Sequence, residues 1–103
     1  MRVREYVTQS GSVPFKQWFD RLKPQAAAKV SIALARIEIG NTSNIKWFSG
    51  LGECVIDWGP GYRVYLFQEG RDLILLLGGG TKSTQKRDIE RARKLLNEYK
   101  SRR

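Results

Sequence analysis

The strongest constraint on this chain is the run Leu73-Ile74-Leu75-Leu76-Leu77, followed at once by Gly78-Gly79-Gly80. Consecutive apolar residues cannot alternate between a wet and a dry face. The run therefore reads as an interior strand buried on both faces. It is far short of the roughly 20 residues that span a bilayer. The glycines are expected to end the strand, either by turning the chain or by letting a substrate backbone approach closely. Glu69-Gly70 ahead of the run is a hairpin signal, and Tyr62–Phe67 before that is strand-like.

The remaining elements are organised around that strand. Arg2–Thr8 reads as a first strand, with a turn at Gln9-Ser10-Gly11-Ser12. Phe15, Trp18, Phe19 and Leu22 then fall at i, i+3, i+4 and i+7, which marks one helix face, and Pro14 suits its first turn. Lys23-Pro24 ends that helix and begins a second over Gln25–Ile39. Its expected face is Ala27, Val30, Leu34 and Ile37, with Gly40 as its closing glycine. Asn41–Leu51 shows no regular pattern. Glu53–Trp58 alternates around Cys54, Ile56 and Trp58, and Gly59-Pro60-Gly61 is a turn. A last helix starts near Ser83 or Thr84 and lines up Ile89, Ala92, Leu96 and Tyr99. The expected fold is one α+β domain over residues 1–103. It is a small, mostly antiparallel sheet with two N-terminal helices and a C-terminal helix, in the order β-α-α-β-β-β-α. Two helices should cover one sheet face and leave the other open to a ligand.

Charge narrows the function. The chain carries 19 Lys and Arg against 10 Asp and Glu, a formal charge of +9. The excess is uneven, because residues 82–103 hold nine basic and three acidic side chains. A small domain of this kind suits a polyanion, nucleic acid above all, or an acidic protein. There is no histidine and one cysteine, Cys54. That removes Ser/His triads, Cys/His pairs, almost every zinc site and any intrachain disulfide. No metal or cofactor is expected. Residues 1–20 contain no basic segment followed by an apolar stretch, so a cytoplasmic setting with no membrane partner is expected.

Several residues stand out individually. Gly78–Lys82 lacks the spacing of a phosphate loop. Alternation puts Arg63, Tyr65 and Phe67 on one sheet face and Tyr62, Val64 and Leu66 on the other. Arg63 has two readings at this point. It pairs with Asp57 or Glu53 across the hairpin, or it grips a phosphate while bases stack on aromatics nearby. Lys82, Lys86, Arg87 and Asp88 gather at the start of the last helix, as a solvated basic face or as a site. Trp18, Trp47 and Trp58 read as core residues, and Cys54 as an inert buried thiol.

Three segments carry a resemblance. They are Ile56-Asp57-Trp58-Gly59-Pro60-Gly61-Tyr62-Arg63-Val64-Tyr65, then Leu75-Leu76-Leu77-Gly78-Gly79-Gly80-Thr81-Lys82-Ser83-Thr84-Gln85, then Asp88-Ile89-Glu90-Arg91-Ala92. With Val13-Pro14-Phe15 and Trp18, they resemble the addiction-module killer proteins of the RelE/ParE toxin superfamily, specifically the HigB-like group with phage Gp49 relatives. The resemblance spans essentially the whole chain. It implies a toxin of a type II toxin–antitoxin module, a ribosome-dependent, metal-independent mRNA endoribonuclease that inhibits translation. The implied partners are a cognate helix-turn-helix antitoxin, the ribosome and mRNA, with operator DNA reached only through the antitoxin complex. The alternatives are a ParE-like gyrase-inhibiting toxin, or a non-catalytic nucleic-acid or protein-binding module descended from a toxin.

Carried over residue by residue, the resemblance gives Arg63 the scissile phosphate and Lys82 acid/base work or charge stabilisation. Asp88, where relatives place a tyrosine, is given proton transfer or orientation. The basic pair that relatives carry before the hairpin falls near Cys54 and Ile56, and an arginine common in the group falls on Val55, so Lys46 is the nearest substitute. Lys46, Tyr65, Lys86, Arg87 and Arg91 are the expected RNA contacts.

Overall fold

A computed structural model describes residues 1–103. The chain runs β1 (Arg2–Glu5), α1 (Pro14–Phe19), α2 (Pro24–Glu38), β2 (Ile45–Phe48), β3 (Leu51–Ile56), β4 (Tyr62–Glu69), β5 (Leu73–Thr81), a 3-10 turn at Lys82–Thr84, and α3 (Gln85–Arg102). The protein is α+β, with one five-stranded sheet in the order β1-β5-β4-β3-β2. Every neighbouring pair is antiparallel except β1 with β5. No helix is long and apolar enough to cross a membrane.

The first departure from the sequence reading is β2. The stretch Asn41–Leu51 supplies a fourth meander strand, paired from Ile45 opposite Cys54 to Phe48 opposite Leu51. It is an edge strand in which Ile45 alone is fully buried, so it carries no alternating signature. The second departure is the end of α1. The helix stops at Phe19, and the chain tightens through bonds from Arg21 N–H to the Trp18 carbonyl and from Leu22 N–H to the Phe19 carbonyl. Lys23, ahead of Pro24, is forced to an extended ψ of 154°. Within α2 the inward residue is Ala26 rather than Ala27, together with Val30 and Ile37.

The third departure is the most consequential. Gly78-Gly79-Gly80 does not end β5 but lies inside it, paired with Tyr65, Val64 and Arg63 of β4. The register slips between Tyr65 and Leu66, so Leu77 is an extra residue on the β5 side, a β-bulge. Two of the three glycines provide clearance. A Cβ on Gly79 would stand 2.3 Å from the Trp18 ring, and one on Gly80 would stand 1.8 Å from Asp88 Oδ2. Bare backbone at these positions seats α1 on one sheet face and the start of α3 on the other.

Both faces are therefore covered, which corrects the expectation of an open one. Under α1 and α2 lie Phe15, Val30, Ile37, Ile45, Cys54, Ile56, Val64, Leu66, Ile74 and Leu76. Under α3 lie Tyr6, Leu51, Tyr65, Phe67, Leu75, Leu77, Ala92 and Leu96. The alternation read for β4 holds, with Val64 and Leu66 on one side and Tyr65 and Phe67 on the other.

This packing sets the cost of filling each glycine. Gly79→Ala should lose about 1–3 kcal/mol of stability by overpacking against Trp18. Gly78→Ala, where a Cβ meets nothing within 4 Å, should stay within about 0.5 kcal/mol of the parent. Urea titration compares them. Cys54 is 1% exposed, and burial pushes its thiol up to about 11 from 9.0. Thiol reagents at pH 8 should react only with unfolded protein. Stability should fall as pH rises from 9 towards 11, because the unfolded thiol ionises there first.

Candidate functional site

Gly61 organises one corner of the sheet. Its φ of 76° lies in the left-handed region and turns the chain into β4. Its carbonyl accepts from Arg63 Nη1 at 3.0 Å and from the Lys82 backbone N–H at 2.8 Å. Those two bonds bring the start of β4 and the end of β5 to the same point, so Arg63 and Lys82 emerge together. Lys82 is exposed, whereas the Arg63 side chain is only 11% exposed. Asp88 joins them from the first turn of α3. It is 7% exposed and lies over Gly80, the residue paired with Arg63. Thr84 Oγ1 hydrogen-bonds the Asp88 carboxylate and accepts from the Thr81 N–H at 3.2 Å. A carboxylate in the first helical turn is favoured by the positive end of the helix.

Beneath this corner sits a residue the sequence marked only as one possible partner. Glu53 is 3% exposed. Gln85 Nε2 donates to its Oε2 at 2.7 Å, and Arg63 Nε stands 3.6 Å from the same oxygen. Asp57, the other candidate, takes no part in this contact. The cross-hairpin ion pair, one of the two readings of Arg63, is therefore present, and its carboxylate is Glu53. Arg63 Nε and the Tyr65 hydroxyl are buried without a hydrogen-bond partner. Burial raises the Tyr65 phenol well above its usual range, and the charge on Glu53 pushes the same way. The signal for Glu53 was present in the alternation of β3, which puts it on the Arg63 and Tyr65 face. Gln85 carried no such signal.

The structure unites Arg63, Lys82 and Asp88 but scatters the expected RNA contacts. Tyr65 is fully buried under α3, which corrects its expected role as a stacking surface for bases. Lys46 is exposed on edge strand β2, opposite Glu53 and two strands from Arg63. Lys86, Arg87 and Arg91 are exposed on α3. Arg87 and Arg91 face Arg21 across a cleft of about 340 Å³ between α1 and α3, floored by Gly78–Thr81. Lys86 stands on the other flank, beside Ser83 and Glu90. Two of the three tryptophans expected in the core are at the surface: Trp47 is 46% exposed and Trp58 is 37% exposed. Trp58 stacks on Tyr62 at 6.2 Å, with Lys29 Nζ 5.9 Å from its ring. No group of three His, Cys, Asp or Glu side chains converges to hold a metal ion.

Fold and site together define a small, strongly basic α+β protein with a buried Arg–Glu pair beside an arginine-lined cleft. No family model matches the chain. It is 42% identical over 89 residues to an uncharacterized protein of Haemophilus influenzae, a match covering 84% of this chain and 90% of that protein. The chain belongs to the family of that protein.

Removing one member of the buried pair should cost more than removing both. Glu53→Ala leaves Arg63 without its counter-charge and Gln85 without its acceptor, and should lose about 3–5 kcal/mol. Combining it with Arg63→Met should recover most of that loss. Urea unfolding of the two single variants and the double variant checks the order.

Proposed function

We propose that this protein is the toxin of a type II toxin–antitoxin module, a RelE-like member of the RelE/ParE superfamily in its HigB-like, Gp49-related group. On this reading it is a ribosome-dependent, metal-independent mRNA endoribonuclease acting in the cytoplasm. The observation that carries the reading is the convergence of Arg63, Lys82 and Asp88 at the Gly61 corner. The Gly-Tyr-Arg element, the basic residue after the last strand and the first turn of the last helix meet there, as the resemblance implies they should.

The chemistry is a displacement at phosphorus. The ribose 2′-oxygen attacks the adjacent phosphate, forming the 2′-O–P bond while the P–O5′ bond breaks. Asp88 takes the 2′-hydroxyl proton, and Lys82 gives a proton to the departing 5′-oxygen. Arg63 stabilises the charge that accumulates on the phosphoryl oxygens. The ribosome contributes by splaying and orienting the message. Arg87, Arg91 and Lys86 supply salt-sensitive contacts to RNA phosphates. A helix-turn-helix antitoxin neutralises the protein, and that complex is what reaches operator DNA.

One observation favours a second reading. Glu53 already occupies one side of Arg63, and Tyr65 is buried, so less of the corner faces substrate than a nuclease would use. That arrangement suits a toxin without nuclease activity, directed at gyrase in the ParE manner, or a non-catalytic binding module.

Induction of the chain in a bacterial host, with mapping of transcript ends, separates these readings. The nuclease produces growth arrest with new 5′ ends inside translated codons. Arrest with intact transcripts and DNA damage moves the assignment to gyrase, and no arrest moves it to the binding module. Lys82→Ala changes an exposed residue and should lower cleavage about a hundredfold or more while the fold is retained. Arg63→Lys keeps the charge beside Glu53 but loses the guanidinium fork, and should also release growth arrest.

A further inference from the structure

β5 has two neighbours over only part of its length. β1 lies against Leu73–Leu76, and the last backbone bond between them runs from Tyr6 N–H to the Leu76 carbonyl at 3.0 Å. Beyond it, Gly78–Thr81 has β4 on one side and no strand on the other. The register decides which groups are free. Lys82 N–H bonds the Gly61 carbonyl opposite it, so the antiparallel ladder turns the backbone groups of residues 78 and 80 towards β4 and those of 79 and 81 outward. The Thr81 N–H is already served, because Thr84 Oγ1 accepts from it at 3.2 Å, while the single Thr84 hydroxyl proton goes to Asp88 and leaves the Thr81 carbonyl open. Gly79 keeps an outward N–H and an outward C=O.

These groups lie on the floor of the cleft of about 340 Å³ between α1 and α3. The edge from Gly78 to Thr81 is about 13 Å long at strand spacing. Trp18 and Leu95 supply apolar walls, and Arg21, Arg87 and Arg91 supply positive charge. Arg21 and Arg91 have no acidic partner, and Arg87 Nε is 3.8 Å from Asp88 Oδ1. On the α3 side of the strand, the space over Gly78 is empty within 4 Å of where a Cβ would stand. That leaves room for an incoming side chain.

We propose that this cleft binds an extended, acidic segment of a partner protein by strand addition to the open edge of β5. The segment's backbone pairs with Gly79, and its carboxylates meet Arg21, Arg87 and Arg91. The floor decides between a peptide and a nucleic acid. An outward N–H beside an outward C=O matches another peptide backbone, donor to acceptor and acceptor to donor. Phosphates bring acceptors only, and would leave the outward Gly79 carbonyl without a donor. A second copy of this chain is a poor occupant, because its charge is +9. The inference goes beyond the nuclease reading and does not depend on it.

The test uses the full chain and a fluorescein-labelled, end-capped peptide of alternating glutamate and valine. Fluorescence anisotropy measures binding, and amide hydrogen exchange by NMR reports on Gly79. The expected result is saturable binding with exchange at Gly79 slowed about tenfold or more. The double charge reversal Arg21→Glu, Arg91→Glu should weaken binding at least about tenfold while its thermal unfolding matches the parent. A peptide with proline at its centre should bind far more weakly, since it lacks the central donor. Absence of binding, binding without protection of Gly79, or equal binding of the proline peptide overturns the proposal. So does an oligouridylate that binds with the same arginine dependence while the acidic peptide does not. Neither readout involves growth arrest or RNA cleavage, so failure here is separate from failure of the toxin reading.

Discussion

The arrangement of both helical layers depends on two close approaches to β5. Trp18 lies against the bare backbone of Gly79 on one face, and Asp88 against that of Gly80 on the other. Because successive residues of a strand face opposite ways, adjacent glycines serve opposite layers. A single methyl at either point would lift a helix from the sheet. The same bareness leaves an unpaired strand edge between the two helices, so the packing requirement and the cleft have one cause. The bulge at Leu77 keeps an unbroken apolar run buried while shifting the register of the three glycines after it. Without it, the glycines would not meet Trp18 and Asp88.

Charge is distributed to leave most cations at the surface and one nearly buried. The surface cations of α3 sit in water, where pairing contributes little, and several lie over aromatic rings instead. Arg93 stands 6.0 Å from the Phe48 ring and Lys100 stands 5.2 Å from that of Phe67. Arg63 is different. Its guanidinium is held between the Gly61 carbonyl and Glu53, and Glu53 is held in turn by Gln85 at the start of α3. The sheet corner and the final helix are therefore joined by one chain of polar contacts. Any ligand that engages Arg63 acts on that chain, which couples the corner to the seat of α3.

The corner of Arg63, Lys82 and Asp88 and the cleft beside it share a boundary, because Asp88 also lines the cleft. They are joined by α3, whose first turn supplies Asp88 to the corner and whose Arg87 and Arg91 line the cleft. A partner seated in the cleft would stand beside the corner, so occupancy of one bears sterically and electrostatically on the other. The Haemophilus influenzae protein, as a member of the same family, is the natural place to ask whether the two surfaces occur together.

The α+β class, the helical faces around Val30 and Ala92, the two hairpin turns and the two faces of β4 were all legible in the sequence. Each rests on a local period or a local turn residue. The features that stayed hidden depended on contacts between distant segments. β2 was invisible because an edge strand with one buried residue has no alternation to read. The glycine triplet looked like a strand end because glycine is a poor strand former by itself, and only Trp18 and Asp88 explain it. Tyr65 reads as a surface aromatic until α3 covers it. Trp58 reads as core although it lies in the turn between β3 and β4, partly open to solvent. Glu53 was one of two possible partners for Arg63, and the register of β3 against β4 chose it. Periodicity along the chain determines which way a side chain points, whereas only the packed layers decide whether anything stands in front of it.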